Sequence, residues 1–94
     1  MAIKLEIPTA LRQFANKQAS VEFDAATVCE ALRRLTATYA DLGKHLYTDD
    51  GRIRSFVNIY VNDEDIRYLE KENTPIKDGD TISIVPSIAG GRNR

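Results

Sequence analysis

Phe56-Val57-Asn58-Ile59-Tyr60-Val61-Asn62-Asp63-Glu64-Asp65 is the stretch on which the fold turns. Val57, Ile59 and Val61 alternate with Asn58 and Tyr60, the period-two pattern of a strand with one buried face. Asn62 to Asp65 then supplies a polar turn. Ile66 to Leu69 reads as a short return strand. Upstream, Asp49-Asp50-Gly51 is a turn signal that leads into the strand. Downstream, Pro75-Ile76-Lys77-Asp78-Gly79-Asp80 contains a turn, and Thr81 to Val85 follows as a final strand with Ile82 and Ile84 on one face.

The N-terminal half supplies what this sheet packs against. Ile3, Leu5 and Ile7 alternate as in a half-buried strand, and Pro8 opposes its continuation. Leu11 and Phe14 read as loop anchors. Val21 and Phe23 repeat the alternation, so the two strands form an N-terminal hairpin. Thr27 is a good helix N-cap, and Glu30 three residues later completes a capping box. Val28, Ala31, Leu32, Leu35 and Tyr39 then fall on one helical face. Gly43 is expected to break this helix, with Leu42 and Leu46 in a short following turn. The order strand, strand, helix, strand, short strand, strand predicts an α+β fold of β-grasp type. One helix crosses one face of a mixed sheet, and the first and last strands are central neighbours. The tail would then project from the sheet's edge. The domain spans residues 1–87, and residues 88–94 form the tail.

Composition bounds the function. The chain has 94 residues, enough for one domain with a modest core. Its formal net charge of −1, with scattered basic residues, argues against nucleic-acid binding through a basic surface. No apolar stretch reaches the length of a membrane span. The single cysteine, Cys29, cannot form an internal disulfide and fits a reducing cytoplasm. Cys29 falls in the first helical turn, where a helix dipole can lower a thiol pKa, but a small helix residue is the plainer reading. His45, with Asp49 and Asp50, has no recognised metal-ligand spacing and reads as solvated loop. Asp63-Glu64-Asp65 lacks the longer calcium pattern and reads as a turn that can add charge complementarity to a partner. No serine, histidine and acid constellation indicates hydrolysis, and no glycine-rich loop precedes a helix to hold ATP.

The chain ends Ile88-Ala89-Gly90-Gly91-Arg92-Asn93-Arg94. Two glycines after the last apolar run make a thin strand that fits a narrow slot and leaves a carbonyl open to attack. Glycine at a frayed chain end is also common on its own. Phe56, Asn58 and Tyr60 alternate with the core positions of their strand, and Val85 joins them on the outer face. An exposed aromatic patch there suits partner docking, unless a loop or the tail covers it.

Val57 to Arg67, Lys77-Asp78-Gly79-Asp80 and Ile88-Ala89-Gly90-Gly91 together closely resemble the ubiquitin-like sulfur carriers of the ThiS, MoaD and CysO types. The stretch Val57 to Arg67 and Ile7-Pro8-Thr9-Ala10-Leu11-Arg12 are most similar to the CysO type. The resemblance implies a carrier rather than an enzyme, with no cofactor bound. A ubiquitin-activating-type partner would adenylate the carboxylate of Gly91 with ATP and magnesium, recognising Ala89 and Gly90 in the thin tail. A sulfur donor would then convert the acyl adenylate to a thiocarboxylate. A synthase would accept the sulfur; for the CysO type this is a pyridoxal-phosphate enzyme of cysteine biosynthesis acting on an activated serine derivative. Molybdopterin and thiazole routes, and conjugation of Gly91 to lysines as a protein modifier, are the alternatives.

Arg92-Asn93-Arg94 departs from the pattern, because active members end at the second glycine. Some relatives carry a short extension that a zinc metallopeptidase of the JAMM type removes. The resemblance thus implies cleavage between Gly91 and Arg92; a tail added to the natural chain is the competing explanation.

Overall fold

Ile3 and Leu5 are fully buried on one side of β1 (Ala2–Glu6), while Ala2, Lys4 and Glu6 are exposed. The computed structural model describes residues 2–86. β2 (Ser20–Asp24) pairs antiparallel with β1, placing Phe23 opposite Ile3 and Val21 opposite Leu5. α1 (Val28–Thr38) and α2 (Ala40–Leu46) follow. β3 (Val57–Val61), β4 (Glu64–Asp65) and β5 (Thr81–Pro86) complete a five-stranded sheet in the order β2-β1-β5-β3-β4. β5 runs parallel to β1 and antiparallel to β3. The expected β-grasp arrangement is therefore present, with the first and last strands adjacent at its centre. β5, the last described strand, holds the middle position of the sheet.

One face of the sheet makes the core. Ile3, Leu5, Ile59, Ile82 and Ile84 pack with Val28, Ala31, Leu32 and Leu35 of α1 and with Leu42 and Leu46 of α2. Burying side chains of this size stabilises by roughly 1.5–3 kcal/mol each before entropy is counted. At the start of α1, the Glu30 N–H donates to Thr27 Oγ1 at 3.1 Å. The Glu30 carboxylate reaches back one residue further than in a simple capping box and accepts from the Ala26 N–H at 2.7 Å. The Val28 N–H, otherwise an orphan of the first turn, donates to the Thr74 carbonyl.

Three local expectations are corrected. Gly43 does not break a helix; it lies inside α2, and the chain breaks at Tyr39. Thr36 and Thr38 direct their hydroxyls onto the Leu32 and Arg34 carbonyls, and these poor helix formers sit just where α1 stops. A Cβ on Gly43 would stand 3.3 Å from Thr36 Cβ, so glycine lets the two helices approach closely. The return strand is Glu64–Asp65, and Ile66–Tyr68 forms a 3-10 turn. Asn62 and Asp63 both have positive φ, 50° and 77°, as in a tight two-residue hairpin turn, so pairing resumes at once. Leu11 and Phe14 belong to a 3-10 helix over Thr9–Phe14 rather than a loop. The tail over residues 88–94, and with it the domain boundary expected after residue 87, lies outside the described residues.

Candidate functional site

The helices cover one face of the sheet and leave the other open. On β5, Ile82 and Ile84 point into the core, so Ser83 and Val85 belong to the outer face. Val85 lies directly opposite Asn58 of β3, and Ser83 opposite Tyr60. On its other side Ser83 pairs with Glu6 of β1, and its Oγ donates to Glu6 Oε1 at 3.0 Å. The register thus lines up Ser20, Glu6, Ser83, Tyr60 and Asp65 across all five strands. Val85 and Asn58 form the next row toward the end of β5, and Phe56 immediately precedes β3. Phe56 and Val85 are 42% and 43% exposed.

Three of the four docking residues expected from sequence, Asn58, Tyr60 and Val85, therefore share one face, with Phe56 just beyond it. Among the described residues, Asn58 and Tyr60 are half-buried and no loop hides Phe56 or Val85. Tyr60, Ser83, Val85 and Pro86 also line an open groove of about 840 Å³ with Pro8 and Thr9. The other expected site residues, Ala89, Gly90, Gly91 and Arg92, lie outside the described residues. Pro86, the last residue of β5, is separated from Ala89 by only two positions.

Arg67 was not singled out from sequence. Its Nη2 donates to Asn58 Oδ1 at 2.6 Å and to Asp65 Oδ2 at 2.8 Å. The Asp65 carboxylate also accepts from the Arg67 backbone N–H at 2.9 Å. These bonds from Arg67 hold the Asp65 carboxyl below the usual aspartate range, and Asp65 raises the guanidinium in turn. Asn58 is thus a pinned amide beside an exposed guanidinium. The available signal was an aspartate two residues before an arginine, just after a polar turn. The face offers an aromatic ring, an aliphatic side chain and fixed polar groups, which suits recognition of a protein surface.

The other candidates lie apart from this face. Cys29 is partly exposed in the first turn of α1. It is near Tyr47, whose phenol is pushed up to about 12, chiefly by burial and then by Glu72. His45 is not in a loop: it occupies the last turn of α2, where its ring stacks on Phe14 with centroids 4.1 Å apart. Among the described residues, no three His, Cys, Asp or Glu side chains converge as a metal site. No helix among them is long and apolar enough to cross a membrane.

Comparison with known proteins covers almost the whole chain. The model of the ThiS family matches residues 5–91. Sulfur carrier protein CysO of Mycobacterium tuberculosis is 39% identical over 93 residues, covering 97% of this chain and 100% of its own. A chain of the crystal structure of the Amycolatopsis orientalis BexX/CysO complex superposes with a TM-score of 0.85 at 37% identity, covering 95% of this chain and 99% of that one. Small archaeal modifier protein 3 of Haloferax volcanii is 38% identical over 68 residues, 72% of this chain and 73% of its own.

Proposed function

The chain belongs to the ThiS family of sulfur carriers, and on that footing we propose that Gly91 bears the sulfur once Arg92-Asn93-Arg94 has been removed. The protein is a carrier, not a catalyst; its partners perform the chemistry. A JAMM-type zinc metallopeptidase cleaves after Gly91 and frees its carboxylate. That carboxylate is a poor electrophile, so a ubiquitin-activating-type adenylyltransferase joins it to the AMP moiety of ATP with loss of pyrophosphate. A hydrosulfide-equivalent donor attacks the acyl carbon, AMP departs, and a thiocarboxylate remains. Its soft anionic sulfur then attacks an acceptor held on a synthase without release of free sulfide. The similarity to CysO favours as that acceptor an activated serine derivative held on a pyridoxal-phosphate synthase of cysteine biosynthesis. A reducing cytoplasm suits a stable thiocarboxylate.

The observation that carries this reading is the extent of the family match. It runs through both glycines and stops at residue 91, leaving only Arg92, Asn93 and Arg94 beyond it. The open face of Asn58, Tyr60 and Val85 supports partner docking near the end of β5, where the chain continues toward Gly91. CysO of Amycolatopsis orientalis forms a complex with BexX, and a corresponding partner here would use this face. Coexpression with the activating enzyme and the peptidase, followed by intact mass measurement, tests the proposal. The expected product lacks residues 92–94 and has one oxygen of the Gly91 carboxylate replaced by sulfur. Persistence of the full-length mass would sink it.

The similarity to a small archaeal modifier protein favours one second reading, conjugation of Gly91 to lysines. Isopeptide-linked Gly91 on cellular proteins would support that reading, whereas a thiocarboxylate consumed by a small-molecule synthase supports sulfur transfer.

A further inference from the structure

The docking face does not end at β3. Among the described residues, β4 pairs only with Tyr60 and Val61, so the Val57–Ile59 half of β3 has no strand on its outer side. A groove of about 610 Å³ lies there, bordered by Arg52, Arg54, Arg67 and Lys71. Asp65 and Glu72 are the acidic residues on its wall, and Asp65 is already paired with Arg67. This basic groove stands out on a chain whose formal net charge is −1.

Two of its cations have evident structural work. Arg54 Nη2 donates to the Lys44 carbonyl at 3.0 Å and so helps close the end of α2. Arg67 pins Asn58. Arg52 and Lys71 differ: both are exposed, and neither forms an ion pair among the described residues. Lys71 is also held at φ 56°, a left-handed conformation that favours glycine. Its carbonyl is fixed there by the Thr74 hydroxyl at 2.6 Å. A lysine in a position shaped for glycine, at the rim of a basic groove, fits a role for its charge.

We propose that this groove seats an acidic, extended segment of the activating adenylyltransferase. The inference rests on the carrier reading above. Val57 already donates its N–H to the Arg54 carbonyl, so the segment lies along the groove beside β3 rather than as an added strand, and the cations match carboxylates on it. The Arg67–Asn58 bond joins the groove directly to the outer face, so one partner can occupy both. The cations also steer the encounter, because opposite charge raises association rates most at low salt.

The test is stopped-flow association of the trimmed chain with the activating enzyme from the same cell, across ionic strengths. Arg52→Glu combined with Lys71→Gly removes the cations that carry no structural bond, and glycine relieves the backbone at position 71. The double variant should remain as stable as the parent, associate about tenfold more slowly at low salt, and show a flatter salt dependence. Equal rates within twofold at every ionic strength, with the parent chain adenylated normally, would overturn the groove while leaving the carrier reading intact. Failure of the parent chain to be bound or adenylated would overturn both. Self-association of the parent that the double variant lacks would assign the groove to a second copy and overturn the proposal.

Discussion

Asn62 and Asp80, eighteen positions apart, lock two turns to each other: Asn62 Nδ2 donates to Asp80 Oδ1 at 2.9 Å. Asn62 Oδ1 accepts from the Thr81 N–H at 3.0 Å, and Asp80 Oδ2 accepts from the Lys77 N–H at 2.9 Å. The same turn reaches β1, where Asp78 Oδ1 accepts from the Ala2 N–H and the Asp80 carbonyl accepts from the Lys4 N–H. The hairpin between β3 and β4, the start of β5 and the start of β1 are thus tied at one end of the sheet. The residues that made the family legible, Asn62 and Lys77-Asp78-Gly79-Asp80, are fold-setting residues. They act at the start of β5, at the opposite end of that strand from Pro86.

Replacing Asn62 with alanine removes two hydrogen bonds and leaves a side chain that tolerates positive φ less well. The expected cost is about 2 kcal/mol, with no direct effect on the outer face. Urea unfolding should show a lower midpoint with an unchanged slope. An unaltered midpoint would mean that the lock contributes no net stability.

Asp80 predicts an acid limb to stability. The hydrogen bond from Asn62 lowers its carboxyl below the ordinary aspartate value, and the Lys77 N–H adds to this. A carboxyl whose native pKa is depressed contributes stability that is complete above its unfolded pKa of about 3.9. That contribution is lost as pH falls through the lower native value. Asp80→Asn should therefore lose stability at neutral pH and show a shallower decline below about pH 4. Thermal unfolding from pH 2 to pH 7 measures both effects, and parallel curves for the two proteins would refute the assignment.

The doubled cap of α1 gives a third expectation. Thr27→Ala should cost about 1 kcal/mol, and Glu30→Ala should cost less, because its bond to Ala26 is exposed. The pair should be non-additive, since both residues hold the same turn. Chemical denaturation of the single and double variants closes this cycle; strict additivity would show two independent caps.

Legibility in the sequence followed local periodicity. Ile3 with Leu5, Val57 with Ile59 and Val61, and Ile82 with Ile84 marked their strands because one face of each is buried. Thr27 and Glu30 marked the helix start through a short-range bond. What failed needed either a third dimension or the last residue of an element. Gly43 resembled a helix stop, but its lack of a side chain serves contact with Thr36 across two helices. Ile66 and Leu69 resembled strand residues, although their spacing of three suits the 3-10 turn that holds Ile66 in the core. The outer face was legible from alternation at Asn58 and Tyr60. Its bond to Arg67 was not, because that bond depends on how tightly the hairpin turns at Asn62 and Asp63.

The outer face yields the last prediction. Phe56 and Val85 are exposed large apolar side chains, so trimming either to alanine should change folding stability by less than about 0.5 kcal/mol. If both meet the activating partner, each loss should weaken binding about tenfold, near 1.4 kcal/mol. Tyr60 is half-buried and borders Ser83, so Tyr60→Ala should weaken binding and lower stability together. Phe56 and Val85 therefore separate docking from folding, whereas Tyr60 does not. Calorimetric titration of each variant with the activating enzyme, alongside thermal unfolding, gives both quantities. Full affinity in Phe56→Ala and Val85→Ala would move the docking surface off this end of the sheet. A large loss of stability in either would show that its side chain supports the fold despite its exposure.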